Sequence, residues 1–354
     1  MRGGLQRWKR GIASAGVQQA VNYAFEGECD SHLHATSGAE ALRRYSEAGD
    51  GATVTRYTAT SSGLASDELD EGRLARWLDG SDPDSGERRG RELNRPDADL
   101  VLDGTINAPK SFSVASLLHP ELATEFEALQ DRLRDRVVTT WQRELNARRG
   151  AAGSIREQIA QLEVVELQHR RSRALDPHIH RHLWLNARVR GEDGRWSNVD
   201  SRVAMKLHTL VNAEGEVAMR TDPVWIAALA RHGYTLSADG EIEQLEHIVR
   251  PLSRRSNQIE ANRAARLAEW RQSHPGQEAS PDVLTAIDRW AWAYGRPNKP
   301  GQVDELSWEQ LTRDELRGID PAITDRRDAM AVRAVAIADL DRDLLAAQAT
   351  VEAD

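Results

Sequence analysis

Apolar positions spaced three or four residues apart predict a long amphipathic helix in the middle of the chain. The periodic segment begins at Pro120, a residue that suits the first turn of a helix. Gly150 lies where we expect the C-terminal cap. The apolar face consists of Leu122, Phe126, Leu129, Leu133, Val137, Trp141 and Leu145.

Short β-rich runs lie on both sides of this helix. Residues 100–102 predict a strand that runs toward Lys110. Residues 161–169 and 178–189 predict two strands, and Asp176-Pro177 between them is typical of a turn, so a hairpin is the simplest connection. Further helices are expected at residues 223–232, 253–272, 282–294 and from 304 onward, and an exposed loop at 80–97.

Composition narrows the class of protein. The chain has 354 residues, 40% of them hydrophobic, and a net charge of −9. We find no apolar run long enough for a membrane span and no signal peptide. The single cysteine, Cys29, excludes an internal disulfide framework and a zinc site built on several thiolates. These observations predict a cytoplasmic protein.

The negative net charge argues at first against a nucleic-acid partner, because nucleic-acid-binding domains are usually basic. Net charge averages over the whole surface, however, whereas binding uses a patch. The 47 basic residues include only four lysines, so arginines, which make bidentate contacts with phosphate, dominate. A local cationic groove, with strongly salt-dependent binding, is therefore compatible with the sequence.

A cluster of histidines carries the clearest chemical signal. Four of the 11 histidines fall within 14 residues: His169, His178, His180 and His182. Alternate residues of a strand share a face, and a hairpin centred between residues 174 and 175 places His169 opposite His180. Directly opposed Cβ atoms lie about 4.5–5.5 Å apart. His169, His180 and His182 could thus chelate one divalent ion, or be structural histidines, and His178 is ambiguous.

These histidines, together with other motifs, resemble the MobF-class conjugative relaxases, the TrwC/TraI-like group of the HUH endonuclease superfamily. The segment Asp103-Gly104-Thr105-Ile106-Asn107-Ala108-Pro109-Lys110-Ser111 is similar to that family's strand-borne aspartate and its Ser-Ala-Pro-Lys-Ser segment. Gly233-Tyr234 and residues 253–260 extend the similarity downstream. The motifs occur in the family's order and cover about residues 15 to 275.

The resemblance implies an α+β fold, with a central, mostly antiparallel sheet flanked by helices and a helical C-terminal segment. We expect the relaxase domain to span residues 1–280. Pro275 and Pro281 interrupt the chain, and the helical pattern after them is increasingly charged. Residues 281–354 are therefore expected to form a lid over DNA or the start of a further domain.

The resemblance also implies a metal site and its supporting carboxylate. His169, His180 and His182 match the family's ligands for one divalent ion, Mg, Mn or Zn. A shifted register that includes His178 stays open, because His178-Ile179-His180 is the literal histidine–hydrophobic–histidine motif. Asp103 matches the carboxylate that orients a ligand histidine or assists deprotonation of a tyrosine.

The nucleophile is expected to be a tyrosine, but the family's usual tyrosine pairs are missing. Tyr23 lies where the first catalytic tyrosine is expected, although Ala24 follows it. Tyr45 resembles the second tyrosine segment, displaced by an insertion. We favour Tyr23, with Tyr45 as the second candidate. The alternative for both is a partly buried structural tyrosine.

The activity implied by the resemblance is site- and strand-specific cleavage of single-stranded DNA at a transfer origin, with a 5′-phosphotyrosyl intermediate and strand transfer. The expected partners are that DNA, with an adjacent hairpin, and other transfer proteins. A rolling-circle replication initiator of the HUH class and a catalytically impaired DNA-binding module are the alternatives.

Several basic and aromatic residues are candidates for DNA contacts. Arginines in the predicted turn are the best supported, because they are attached to the histidine hairpin. Among the tryptophans, core packing suits Trp184 better than base stacking. The candidate basic residues are Lys110, Arg170, Arg171, Arg173, Arg254 and Arg255, and the candidate stacking residues are Trp184, Trp196 and Trp225.

Overall fold

The structure is a computed structural model that describes residues 5–25, 54–172, 174–295 and 304–323. Tyr45 and Arg173 lie outside the described residues. Within this part of the chain, nine strands form one sheet, and ten α-helices accompany it. All described strand pairs are antiparallel. The α+β architecture expected from the sequence is confirmed.

The predicted histidine hairpin forms the centre of the sheet. The strands are β1 (Gln6–Lys9), β2 (Val54–Thr60), β3 (Gly63–Leu69), β4 (Asp99–Asn107), β5 (Asn146–Arg149), β6 (Ile155–Arg171), β7 (Pro177–Asn186), β8 (Arg188–Gly191) and β9 (Trp196–Asn198). The main strand order is β1-β4-β7-β6-β2-β3, so β6 and β7, the two strands of the hairpin, have neighbours on both sides. In addition, β5 pairs with β6, and β8 pairs with β6 and β9.

Helices cover both faces of the sheet, and the described chain after residue 200 contains no further strand of the sheet. Among the described residues, no helix is both long enough and apolar enough to cross a membrane. The helices are α1 (Ala15–Phe25), α2 (Glu71–Leu78), α3 (Lys110–Leu118), α4 (Pro120–Glu144), α5 (Ser201–Thr221), α6 (Pro223–Arg231), α7 (Glu246–Val249), α8 (Arg254–Ser273), α9 (Pro281–Ala293) and α10 (Glu305–Ile319).

Alternation along β7 divides the core into two layers. Leu183 and Leu185 face the larger core, which contains the apolar face of α4. Trp184 and the neighbouring Val165 of β6 face the smaller core beneath α1 and α2. Because residues two apart share a face, His178, His180 and His182 project to the same side as Trp184. The sheet therefore presents its histidines on the side that α1 covers.

The long helix begins at Pro120, as predicted, but ends before Gly150. Its last residue is Glu144, and Leu145 already has extended backbone, with φ −83° and ψ 161°. Strand β5 follows at once because it pairs with β6. Gly150, at φ 73°, instead precedes a short 3-10 turn. The prediction that Gly150 caps this helix is wrong, because strand pairing ends the helix first.

Two other local expectations differ from the structure. Lys110 begins α3 and does not lie at the end of a strand. The loop over residues 80–97 is largely exposed, but Arg89 is only 7% exposed, because its guanidinium reaches inward and donates to the buried carboxylate of Glu163 at 2.6 Å. Because Glu163 lies on β6, the contact with Arg89 anchors part of this loop to the sheet. The indole of Trp77, on α2, donates to the same carboxylate.

Candidate metal centre

The register of the β6–β7 hairpin matches the predicted register at the three candidate ligand histidines. His169 pairs with His180, as predicted, and His182 pairs with Leu167. The register then shifts, so that Arg171 pairs with Pro177. This irregularity lies between the histidines and the turn, and it leaves the triad in place.

His169, His180 and His182 converge on one point. Their ring centroids are 4.9–5.3 Å apart, and each ring offers one nitrogen within 4.8 Å of the other two. Two nitrogens bound to one tetrahedral ion at about 2.0–2.1 Å lie about 3.3–3.4 Å apart. The triad therefore needs to close by at most about 1.5 Å to hold one ion. Three imidazoles suit a transition metal such as zinc.

A hydrogen bond and burial prepare His180 as a ligand. The Nδ1 atom of His180 lies 2.7 Å from the carbonyl oxygen of His178, so its Nε2 is left for a ligand. Burial, followed by the neighbouring His178, His169 and His182, lowers the pKa of His180 well below 6.5. A neutral imidazole is the form that binds metal. His180 is thus available as a ligand at neutral pH.

His178 stacks on the triad without belonging to it. Its ring lies 4.5 Å from that of His180, at an interplanar angle of 27°. Burial, and then the charge of Lys110, lowers the pKa of His178 to about 4. The group whose nitrogens lie within reach of a single ion consists of the other three histidines. This geometry favours the original register over the shifted one.

Asp103 orients the third histidine of the group. It lies on β4, and its carboxylate is 2.8 Å and 3.1 Å from the Nδ1 atom of His182. Trp8 on β1 donates its indole hydrogen to the same carboxylate at 3.2 Å. The carboxyl group therefore fixes the ring so that Nε2 of His182 faces the centre of the triad. Trp8 was not identified from the sequence, since no motif or spacing marks it.

Tyr23 of α1 lies directly at this centre. Its hydroxyl is 3.4 Å from Nε2 of His182. Its ring packs against Trp8 at 5.2 Å and against Trp184 at 5.8 Å, with an edge-on contact to the former. The structure thus brings together Tyr23, Asp103 and the three histidines, which are far apart in the sequence.

The predicted basic residues lie around the hairpin turn and make internal contacts. Lys110 donates to the carbonyl oxygen of Leu252 at 2.7 Å, and its ammonium lies 3.5 Å from the carboxylate of Asp176. Asp176 is fully buried. The sequence marks Asp176 as a turn residue, but its anchoring role depends on this tertiary contact.

Arg254 and Arg255, at the start of α8, meet the same aspartate. The guanidinium of Arg254 lies 3.0 Å from Asp176 and also pairs with Glu315 of α10. The backbone N–H of Arg255 donates to Asp176 at 3.4 Å. Arg254 is still 43% exposed in its side chain, so its contact with DNA stays a prediction, as does that of Arg255.

Helix α10 lies against the hairpin turn and changes the surroundings of Arg170. That arginine is 5% exposed and lies 2.7 Å from the carboxylate of Glu309. The guanidinium of Arg171 lies 5.5 Å from the ring of Trp308, whose indole donates to the carbonyl oxygen of Leu175. A DNA contact by Arg170 would require Glu309 to move away, and it stays a prediction.

Two of the candidate stacking tryptophans are core residues. Trp184 is fully buried, in agreement with the packing role favoured by its position on the hairpin strand. Trp225 is also fully buried, 4.9 Å from Phe112 and 5.7 Å from Phe126. It has no exposed ring face for a base, so the expectation that Trp225 stacks on DNA is wrong. The third candidate, Trp196, makes a cation–π contact: the guanidinium carbon of Arg89 lies 4.3 Å from the centroid of its ring.

Comparison with known proteins places this geometry in a family. A search of curated protein sequences found no significant match. Among solved structures, the conjugative relaxase TrwC in its metal-bound complex with OriT DNA is similar, with a TM-score of 0.62 and 20% identity over 89% of this chain and 98% of that one. Its copper-bound complex with OriT DNA gives 0.60 and 22% over 90% and 99%.

A third similar structure is TrwC with a 27-mer DNA that comprises the recognition hairpin and the cleavage site. It has a TM-score of 0.60 and 19% identity over 89% of this chain and 98% of that one. At such identities these structures establish the shared fold. The sequence model of the TrwC relaxase covers residues 19–319, far more than half of the chain. The resemblance to MobF-class relaxases is therefore confirmed, and the chain belongs to the TrwC relaxase family.

Proposed function

We propose that this chain is a conjugative relaxase that nicks one DNA strand at a transfer origin through Tyr23. The observation that carries the proposal is the 3.4 Å distance between the Tyr23 hydroxyl and Nε2 of His182. That nitrogen faces the proposed metal position, because Asp103 engages the other ring nitrogen. The nucleophile and the group that would hold the phosphate thus share one site.

The reaction is a transesterification at phosphorus. The phenolic oxygen of Tyr23 gives up its proton and forms a bond to the scissile phosphorus, the bond from phosphorus to the 3′ oxygen breaks, and the 3′ oxygen takes up a proton in turn. The product is a 5′-phosphotyrosyl link and a free 3′ hydroxyl. Because one phosphodiester replaces another, a 3′ hydroxyl can attack the link and rejoin the strand.

Activation of Tyr23 is the main task of the surrounding residues. A phenol has an unperturbed pKa near 10, so its proton has to be removed or shared as it attacks. Asp103 holds the Nδ1 hydrogen of His182 and fixes the tautomer. Trp8 supports that carboxylate and packs on the Tyr23 ring, which limits the movement of the hydroxyl.

A divalent ion bound by His169, His180 and His182 would stabilise the negative charge that develops on the non-bridging phosphate oxygens. Three neutral imidazoles would leave the full charge of the ion available for that task. Of the expected ions, zinc and manganese suit this donor set better than magnesium, which prefers oxygen ligands.

The substrate and partners follow from the family. TrwC has been solved with DNA that comprises a recognition hairpin and a cleavage site, and we propose single-stranded origin DNA with an adjacent hairpin as the substrate here. Other transfer proteins are proposed partners, and the cytoplasm is the proposed location. Residues 1–280 would form the relaxase domain, with residues 281–354 as a C-terminal segment close to the DNA.

A covalent-adduct assay tests this function. Labelled single strands that tile the intergenic DNA around the gene are incubated with the protein and Mn²⁺ and separated under denaturing conditions. One strand of one segment is expected to yield a protein–DNA adduct that the opposite strand does not. Binding to such a segment without any adduct would instead favour a nuclease-dead DNA-binding module. An adduct on a rolling-circle replication origin, with none on transfer DNA, would favour a replication initiator.

A further inference from the structure

A cavity of 290 Å³ lies beside the triad, and the mechanism above does not use it. It is lined by the end of β4, the start of α3, the start of β7, one residue of α5 and Glu241 of the segment between α6 and α7. Its walls include Asn107, Pro109, Lys110, His178, Glu216 and Glu241. Its size is close to the lower limit of about 300–1,000 Å³ for small-molecule pockets, which suits one nucleoside-sized group.

His178 connects this cavity to the metal centre. His178 lines the cavity, and its ring stacks on that of His180 at 4.5 Å. A single residue therefore links the cavity to a triad ligand. A phosphate held at the triad would leave one of its neighbouring nucleotides within reach of the cavity.

The charges in the wall exclude two simple ligand classes. Glu241 would repel a phosphate group, and Glu216, whose carboxylate pairs with Arg220 at 3.1 Å, adds to that repulsion only in part. The ammonium of Lys110 would repel a metal cation, and it is already engaged by the carbonyl oxygen of Leu252 and the carboxylate of Asp176. What fits this wall is a neutral, flat group that donates hydrogen bonds.

We propose that the cavity receives the base of a nucleotide that flanks the scissile phosphate, and that it selects a base with an exocyclic amine. This inference rests on the proposed nicking function. Glu216 and Glu241 accept hydrogen bonds from the amine of cytosine, adenine or guanine, as glutamate does when it reads cytosine N4. The imidazole of His178 offers an aromatic ring on which the base packs.

The acceptor capacity of the wall supports this selectivity. Glu241 already accepts the backbone N–H of Ser111 at 3.0 Å through one oxygen. An ionised carboxylate has about four acceptor positions, so this bond leaves room for a base amine. Thymine has no exocyclic amine, and its O4 would face carboxylate oxygens with no hydrogen between them. The site would therefore disfavour thymine.

The test measures base preference at each nucleotide that flanks the nick. Single strands carrying thymine or an abasic site at one position are compared with the parent strand, and kcat/KM for adduct formation is measured. At one position, thymine is expected to lower kcat/KM by about 5- to 150-fold, since one specific base contact contributes about 1–3 kcal/mol. The full-length protein is used throughout.

Variants identify the residues responsible. Glu216→Gln combined with Glu241→Gln is expected to reduce the penalty for thymine, because an amide donates as well as accepts and can pair with thymine O4. Glu214→Gln, on the same helix but outside the cavity wall, is the matched control. It removes one charge and is expected to keep the wild-type preference.

The outcomes separate this inference from the proposed function. An adduct that forms with equal rates for all bases at the flanking positions would overturn the cavity assignment and leave the nicking function intact. So would an unchanged preference in the double variant, or an equal change in Glu214→Gln. If no strand yields an adduct, the nicking function fails, and fluorescence anisotropy with the same strands still measures the base preference in binding.

Discussion

Asp103 and His182 form a pair in which both carboxylate oxygens lie within 3.1 Å of the same imidazole nitrogen, Nδ1. Because a carboxylate accepts hydrogen bonds, this contact places the ring hydrogen on Nδ1 and the lone pair on Nε2. The lone pair faces the Tyr23 hydroxyl and the centre of the triad. One carboxyl group, 3% exposed, thus sets the orientation on which both the proposed ligand and the proposed nucleophile depend.

Asp103→Asn is expected to weaken metal binding while the fold is retained. The amide can still accept one hydrogen bond, but it removes the charge that stabilises the required tautomer. Loss of such a supporting contact typically lowers metal affinity by about 10- to 100-fold. Titration with Mn²⁺ or Co²⁺ measures the effect. Asp97→Asn, on the exposed loop before β4, serves as the control, and equal affinity in both variants would contradict the role of Asp103.

Tyr23→Phe is expected to abolish the covalent adduct. The change removes the hydroxyl and keeps the ring that packs on Trp8 and Trp184. Adduct formation should fall by at least about 1,000-fold, as it does when an enzyme loses its nucleophile. DNA and metal affinity should remain, which separates loss of chemistry from loss of fold.

Two further tyrosine variants complete this test. Tyr294→Phe removes a hydroxyl from an exposed ring directly after α9 and should leave the rate unchanged. Tyr45→Phe tests the second candidate of the sequence analysis. If the adduct persists in Tyr23→Phe and disappears in Tyr45→Phe, the assignment of the nucleophile is wrong.

Metal binding is expected to raise thermal stability through the triad. A ligand that binds only the folded state adds about 2.7 kcal/mol at a concentration 100 times its Kd. Differential scanning fluorimetry with Zn²⁺ or Mn²⁺, against chelator-treated protein, should show a concentration-dependent rise in Tm. His169→Ala and His180→Ala should each remove most of that rise. His247→Ala changes an exposed histidine that is not part of the triad and should preserve the rise.

The central hairpin and its histidines were predictable because the information is local. The pairing of His169 with His180 follows from the position of the turn, and the shift between His169 and Arg171 does not affect it. The face shared by His180 and His182 follows from strand alternation alone. Long periodic segments such as α4 are predictable for the same reason.

Contacts between distant segments were not predictable from the same patterns. Nothing in the composition of residues 1–25 indicates that Trp8 donates to Asp103. Likewise, Arg170 is part of a basic run and looks exposed, but Glu309 pairs with it from α10. An arginine run has the same pattern whether it meets solvent, DNA or a buried carboxylate, so only the fold separates these cases.

Folding stability without metal is expected to fall as the pH falls from 6.5 to 4. Burial lowers the pKa of His178 from 6.5 to about 4, so in this range the unfolded chain binds a proton at His178 that the folded chain does not. Since the unfolded state then holds more protons, the free energy of unfolding decreases toward acid, by at most about 3 kcal/mol from this residue.

The His178→Asn variant isolates that contribution. Denaturant unfolding is measured across this pH range with a chelator present. The variant should show a shallower pH dependence than the wild type and keep the part that comes from His180, whose pKa is also lowered by burial. Parallel curves for the two proteins would show that His178 does not titrate as its burial implies.

Arg181→Met is expected to be strongly destabilising, because this arginine holds the opposite face of the histidine hairpin. Its side chain is 2% exposed and pairs with Glu166 at 2.9 Å and with Asp131 and Glu127 of α4 at 2.6 Å each. Glu166 lies on β6, so this cluster ties both hairpin strands to the helix. Removing one partner of a buried ion pair costs about 3–5 kcal/mol. Glu166 keeps a contact with Arg134 at 3.2 Å, so we expect a loss near the lower end of that range.

Denaturant unfolding at neutral pH measures this cost. Arg317→Met removes an exposed arginine that pairs with Asp314 three residues before it, and it should cost less than about 1 kcal/mol. Adding Glu166→Gln to Arg181→Met should restore part of the lost stability, since the buried carboxylate is then no longer charged. If the losses in free energy of unfolding from Arg181→Met and Glu166→Gln simply added, the two side chains would not be coupled. The cost of Arg181→Met would then come from lost packing, and the proposal that buried charges hold the hairpin to α4 would be wrong.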